Sequence, residues 1–150
     1  MVDNLIKELG PIKNVLDPDF VVVGSLVDVI YLNIDRKIKD IDLVYFGHKD
    51  INKEIQGLKE SVGCTLGRKF RKKLDTVYVE IFVNYSPPEN TYISLYDIKI
   101  QTKQSRYNFI TNFLKIEEKR GWTKIYRSWF RTKKQYFNLL KTKYEYNTLD

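Results

Sequence analysis

Apolar and polar positions along this chain separate into stretches with the period of a helix and stretches with the period of a strand. Leu5, Ile6, Leu9, Ile12, Val15 and Leu16 recur at helical spacing, with Pro11 expected to break or kink the element. Asp17-Pro18-Asp19 reads as a turn, and the apolar run Phe20–Val23 as a short buried strand. Residues 26–32 carry enough apolar positions for a helix that starts directly after Gly24-Ser25, with Ser25 as its N-cap. A basic loop at 35–39 leads into a strand at 41–46, and residues 50–58 read as a helix. Residues 66–73 and 76–83 form a predicted strand pair turning near Leu74-Asp75, the second rich in β-branched and aromatic side chains.

Pro87-Pro88-Glu89-Asn90 punctuates the chain, and beyond it the pattern predicts helices: one or two within 95–112, and a clearer one over 122–140. In that last segment Trp122, Ile125, Tyr126, Trp129, Phe130, Tyr136, Phe137 and Leu140 make an apolar stripe, with Lys124, Arg127, Arg131, Lys134 and Lys141 on the other side. The aromatic stripe reads as core packing rather than a base-stacking platform. The basic stripe fits a solvated face and an RNA-contact face equally well.

At 150 residues the chain has room for one domain with a sizeable core. Its longest apolar runs fall far short of the roughly 18 residues that span a bilayer. Residues 1–7 have no basic start followed by a long apolar stretch, so no signal peptide is expected and the protein is placed in the cytoplasm, away from membranes. Cys64 stands alone, which suits a reducing compartment and a small buried thiol; a nucleophilic role would need His48, the sole histidine, as its base.

Charge is distributed unevenly, and this bears on partners. Residues 1–67 hold 8 Lys and Arg against 11 Asp and Glu, whereas residues 99–150 hold 13 against 4. A basic C-terminal third favours a polyanionic partner, because neutralising phosphates releases counterions. The simpler alternative is a solvated lysine-rich surface.

Three groups of residues carry the candidate chemistry. Gly24-Ser25, at a strand-to-helix junction, lets backbone approach a ligand beside the positive end of a helix, and the Ser hydroxyl can bond a phosphate oxygen. Asp40 and Asp42 alternate along a strand, so both carboxylates project from one face about 7 Å apart, while Ile41 and Leu43 point to the other side. Hard divalent ions such as Mg²⁺ are bound by one or two carboxylates together with substrate phosphates. The alternative for this pair is an acidic, solvent-facing strand. Glu80 interrupts a strand whose neighbours read as buried, where a lone carboxylate is costly unless paired or metal-bound. It can complete a metal site and take a proton from an attacking hydroxyl, or it can form a salt bridge with a cation of residues 68–73.

The ordered set Val23-Gly24-Ser25, Asp40-Ile41-Asp42 and Glu80 resembles the nucleotidyltransferase superfamily related to DNA polymerase β, specifically its minimal members. The resemblance covers roughly residues 5–105. It implies an α/β fold in which a mixed β-sheet is flanked by helices, within a single domain of residues 1–150 whose basic helical extension runs over 106–150. It also implies that Gly24 and Ser25 hold a nucleoside triphosphate, that Asp40 and Asp42 ligate Mg²⁺ or Mn²⁺, and that Glu80 completes the metal site. Lys103 is the best match to a lysine that contacts the triphosphate in several such families, with Lys99 as its competitor. One departure is that the third acid is Glu, where Asp is more usual.

The expected function is therefore transfer of a nucleoside monophosphate from an NTP to an acceptor hydroxyl, on an RNA 3′ end, a protein side chain or a small molecule, of which the basic region favours a nucleic acid, tRNA among the choices. The alternatives are a catalytically silent, antitoxin-like protein of the same fold that binds RNA or a protein partner, and, less favoured, a nucleotide-sugar glycosyltransferase using Asp40 and Asp42 as its metal motif.

Overall fold

The first apolar stripe folds as α1, Val2–Leu16, which runs through Pro11 without ending there. Leu5, Leu9, Ile12 and Leu16 are all buried on one face, and each buried side chain of this size contributes on the order of 2 kcal/mol. Together they outweigh the roughly 3 kcal/mol that an interior proline costs, and Pro11 itself lies on the exposed side. The computed structural model describes residues 1–61, 67–116 and 124–147, without the side chains of 124–126. Cys64, the expected start of a strand at Leu66, and Trp122 lie outside the described residues, as do the side chains of Ile125 and Tyr126.

After a turn at Asp17-Pro18-Asp19 come β1, Phe20–Val23, and α2, Ser25–Leu32. Gly24, with φ at 78°, takes the N-cap position, and Ser25 is the first helical residue, not the cap expected from sequence. Glycine turns the chain one residue earlier than a serine cap would. β2 spans Asp40–Tyr45, and its side chains alternate cleanly, with Ile41, Leu43 and Tyr45 buried and the intervening residues partly exposed. The helix expected over 50–58 is a single turn, α3, Ile51–Glu54, and the chain then enters a strand that the sequence pattern did not indicate, β3, Lys59–Ser61. β4, Arg68–Lys73, and β5, Tyr78–Val83, form the expected pair.

The largest departure follows Pro88. Where a helix was expected from residue 95, the chain forms β6, Tyr92–Leu95, and β7, Ile98–Gln101, paired as an antiparallel hairpin. Its two-residue turn, Tyr96-Asp97, has positive φ at both positions (54° and 60°), the geometry that suits a tight hairpin but is usually signalled by Asn or Gly. Ile98 and Ile100 are buried in the core and Val22 pairs with Ile100 in parallel register, so long-range packing decides for strand.

The seven strands make one mixed sheet in the order β3-β4-β5-β2-β1-β7-β6. Side chains of α1, α2 and α3 share a single core with Val22, Ile41, Leu43, Val79, Ile81 and Ile100, which all point to the same side of the sheet. That side is closed by helices. Its opposite face carries the polar members of β2, β4 and β5.

The chain divides into two compact units, residues 1–102 and 103–150. The sheet and α1–α3 belong to the first. The second comprises α4, Lys103–Leu114, and α5, Lys124–Tyr146, which pack on each other through aromatic rings. Phe113 meets Phe137 edge-on at 4.9 Å and Phe130 at 5.3 Å, so these members of the aromatic stripe are packing residues. Trp129, by contrast, is 52% exposed.

Candidate active site

β2 lies at the centre of the sheet, antiparallel to β1 and parallel to β5, and this places the candidate residues. Val23 on β1, Asp42 on β2, Glu80 on β5 and Arg71 on β4 are successive register partners, forming one row across four strands. Side chains in such a row share a face, and neighbouring strands are only about 4.8 Å apart. Asp40 stands two residues before Asp42 on the same face, beside Tyr78 on β5. Asp40, Asp42 and Glu80 therefore project together from the side of the sheet that α1–α3 leave open.

Gly24 follows Val23 and faces the same acids. A side chain at position 24 would run into the Asp42 carboxylate, and its left-handed backbone already favours glycine. Two constraints thus act on one residue: the chain must turn sharply into α2, and the Asp42 oxygen must sit against bare backbone. Ser25, one residue on, opens α2, so its hydroxyl and the first amides of that helix share the junction.

Asp40 and Glu80 are paired with cations from β4. Arg71 reaches both, with Nη2 donating to Asp40 Oδ1 at 3.1 Å and Nε lying 3.4 Å from Glu80 Oε1. Its guanidinium also lies 3.8 Å from the Tyr78 ring centroid. Lys69 Nζ is 3.3 Å from the other Glu80 oxygen. Its hydrogen bond to Asp40 is the main reason the Arg71 guanidinium holds its proton more tightly than usual, with the Glu80 charge adding to it. Glu80 is the most sheltered of the three partners, its side chain 16% exposed against 36% for Asp40 and 43% for Arg71.

Sequence reasoning anticipated a cation of residues 68–73 on Glu80, but not one guanidinium serving Glu80 and Asp40 at once. The available signal was the period-2 placement of Lys69, Arg71 and Lys73, which puts all three on one face of a strand. Among the described residues, no three His, Cys, Asp or Glu side chains converge as a ready metal cage. The pair Asp40 and Asp42 does match the donor chemistry of a hard divalent ion, which takes one or two carboxylates and fills its remaining positions with water and phosphate. Lys103 opens α4 in the second unit, and Lys99 sits on β7 with its Nζ donating to the Pro18 carbonyl at 2.8 Å. His48 is an exposed loop residue after β2. A groove of about 850 Å³ lies elsewhere, between α1 and the turn joining β4 to β5, and none of these three acids lines it.

No family model matches the sequence, and no curated protein matches it either. Solved structures do resemble it. The antibiotic-resistance factor ANT(2'')-Ia superposes with a TM-score of 0.52 at 11% identity, over 97% of this chain and 93% of that one. A Helicobacter pylori protein assigned as a nucleotidyltransferase gives 0.50 at 14% identity, over 97% of this chain and 80% of that one. JHP933, also from Helicobacter pylori, gives 0.49 at 17% identity; the match covers 75% of this chain but only 56% of that protein's length. The chain has the nucleotidyltransferase fold, an α/β architecture with a mixed sheet flanked by helices.

Proposed function

We propose that the open face of the sheet is a nucleotidyltransferase site, which moves a nucleoside monophosphate from an NTP to an acceptor hydroxyl in a Mg²⁺- or Mn²⁺-dependent reaction. The observation that carries this reading is the contact between Gly24 and Asp42: bare backbone at the head of a helix, pressed against a carboxylate in the middle of an acidic row. A phosphate chain needs the first and a divalent cation needs the second.

In this reading the Gly24 backbone, the Ser25 hydroxyl and the leading amides of α2 hold the triphosphate. Asp40 and Asp42 would hold the metal ion, with Glu80 completing the set, and the ion supplies charge neutralisation at the phosphates. The acceptor oxygen attacks the α-phosphorus, a new O–P bond forms, the bond to the β-phosphate oxygen breaks, and pyrophosphate leaves. Glu80 takes the proton from the acceptor hydroxyl. RNA is the favoured acceptor, since residues 103–150 hold 12 Lys and Arg against 4 Asp and Glu.

The test is label transfer from α-labelled NTP in the presence of Mg²⁺ or Mn²⁺, comparing wild type with Asp40→Ala and Asp42→Ala. Loss of transfer in both variants, with unfolding transitions retained, is the expected result. Undiminished transfer by the two variants would remove the assignment. Metal-independent RNA binding without any transfer would make the protein a silent binder of the same fold.

A further inference from the structure

Arg71 ties down Asp40 and Glu80 simultaneously, and Lys69 takes the remaining oxygen of Glu80. Cross-strand pairs of this kind often do no more than hold a sheet together. Three features here point further. A single guanidinium bridges two of the three acids. The bridge is on the open face with Arg71 43% exposed, where ion pairs are screened and easily exchanged. And the guanidinium lies 3.8 Å from the Tyr78 ring centroid, a contact that does not depend on either carboxylate.

Resting on the nucleotidyltransferase reading, we propose that Lys69 and Arg71 form an exchangeable counter-ion set: they neutralise Asp40 and Glu80 in the empty site, and turn to the nucleotide phosphates once a divalent ion takes the carboxylates. Formal charge explains both halves. Asp40, Asp42 and Glu80 bring three negative charges and the two cations two positive ones, so the empty site is close to neutral. A divalent ion then leaves it net positive, ready for a triphosphate. Tyr78 keeps the released guanidinium over the site rather than letting it swing into water. Arg71 is thereby a nucleotide-binding residue that opposes premature metal binding. The order that follows is that metal alone binds weakly, and metal with NTP binds strongly.

Affinities for Mn²⁺ alone and for Mn²⁺ with a non-hydrolysable NTP test this, measured by calorimetry on wild type, Arg71→Ala, Arg71→Lys and Asp40→Ala. Removing the guanidinium should tighten Mn²⁺ alone roughly fivefold and weaken the nucleotide complex by a similar factor. Arg71→Lys, which keeps charge without the two-pronged donor, should fall between. Arg71→Ala that changes neither affinity, or loosens both equally, makes the residue a sheet brace and overturns the proposal while leaving the nucleotidyltransferase reading intact. If wild type binds neither Mn²⁺ nor NTP, both fall. Asp40→Ala separates these cases, since it should lose the metal in either version of Arg71's role.

Discussion

At the residue scale, two positions are fixed by their contacts more than by their chemistry. Gly24 combines a φ of 78° with direct apposition to Asp42, so Gly24→Ala should cost about 1–3 kcal/mol from backbone strain and displace the carboxylate. Denaturant unfolding should report the first effect, and loss of NTP-dependent thermal stabilisation the second. Glu8 on α1 closes the turn between β4 and β5, accepting hydrogen bonds from the Thr76 amide and hydroxyl and from the Val77 amide. Burial pulls its carboxyl upward, but these donors outweigh that and hold it below its usual value of 4.5. A carboxylate lowered on folding contributes stability that is present above the unfolded value and fades as pH falls through the folded one. The stability gap between wild type and Glu8→Gln should therefore be largest near neutral pH and narrow below about pH 4.5, as measured by urea unfolding across that range.

At the element scale, the β6–β7 hairpin is where local pattern and final structure disagree. Tyr96-Asp97 must adopt left-handed backbone at both positions, and neither residue announces this as Asn-Gly would. The turn holds because Ile98 and Ile100 are buried and β7 pairs with β1. Replacing the pair by Tyr96→Asn with Asp97→Gly should relieve that strain and raise stability by about 0.5–1 kcal/mol, because Tyr96 is exposed and its ring packs little. A lower melting temperature in the double variant would mean that the tyrosine ring matters more than the backbone geometry. α1 presents the opposite case. Its proline was a local signal for a break, and four buried residues overrode it.

At the scale of the whole molecule, charge is partitioned between the two compact units. Residues 1–102 are nearly neutral, with 14 Lys and Arg against 15 Asp and Glu, and residues 103–150 carry the excess of cations. Arg127 and Arg131 are exposed on α5, one turn apart. If RNA is the polyanion they serve, affinity should fall steeply with salt, and the double substitution Arg127→Glu with Arg131→Glu should flatten the dependence of log K on log salt by about two ion equivalents. Gel-shift titrations at several salt concentrations measure this directly. Among the described residues no helix is long and apolar enough to cross a membrane.

The Asp40 and Asp42 pair was legible in the sequence because strand geometry has a fixed period: once the two lie on a strand whose alternate residues are apolar, their common face follows. A short apolar run made β1 readable, β-branched and aromatic content made β5 readable, and Gly24-Ser25 was readable as the bend between a strand and a helix. What sequence could not supply was lateral order. That β5 lies beside β2, that Glu80 is level with Asp42, and that Arg71 is level with Glu80 are facts of strand pairing between segments far apart in the chain. Periodicity says which way a side chain points along its own strand; only the folded sheet chooses the neighbour, because backbone hydrogen bonds between strands carry no residue code and register is set by the whole buried face at once. The candidate residues were written in the chain, and their company was decided by the fold.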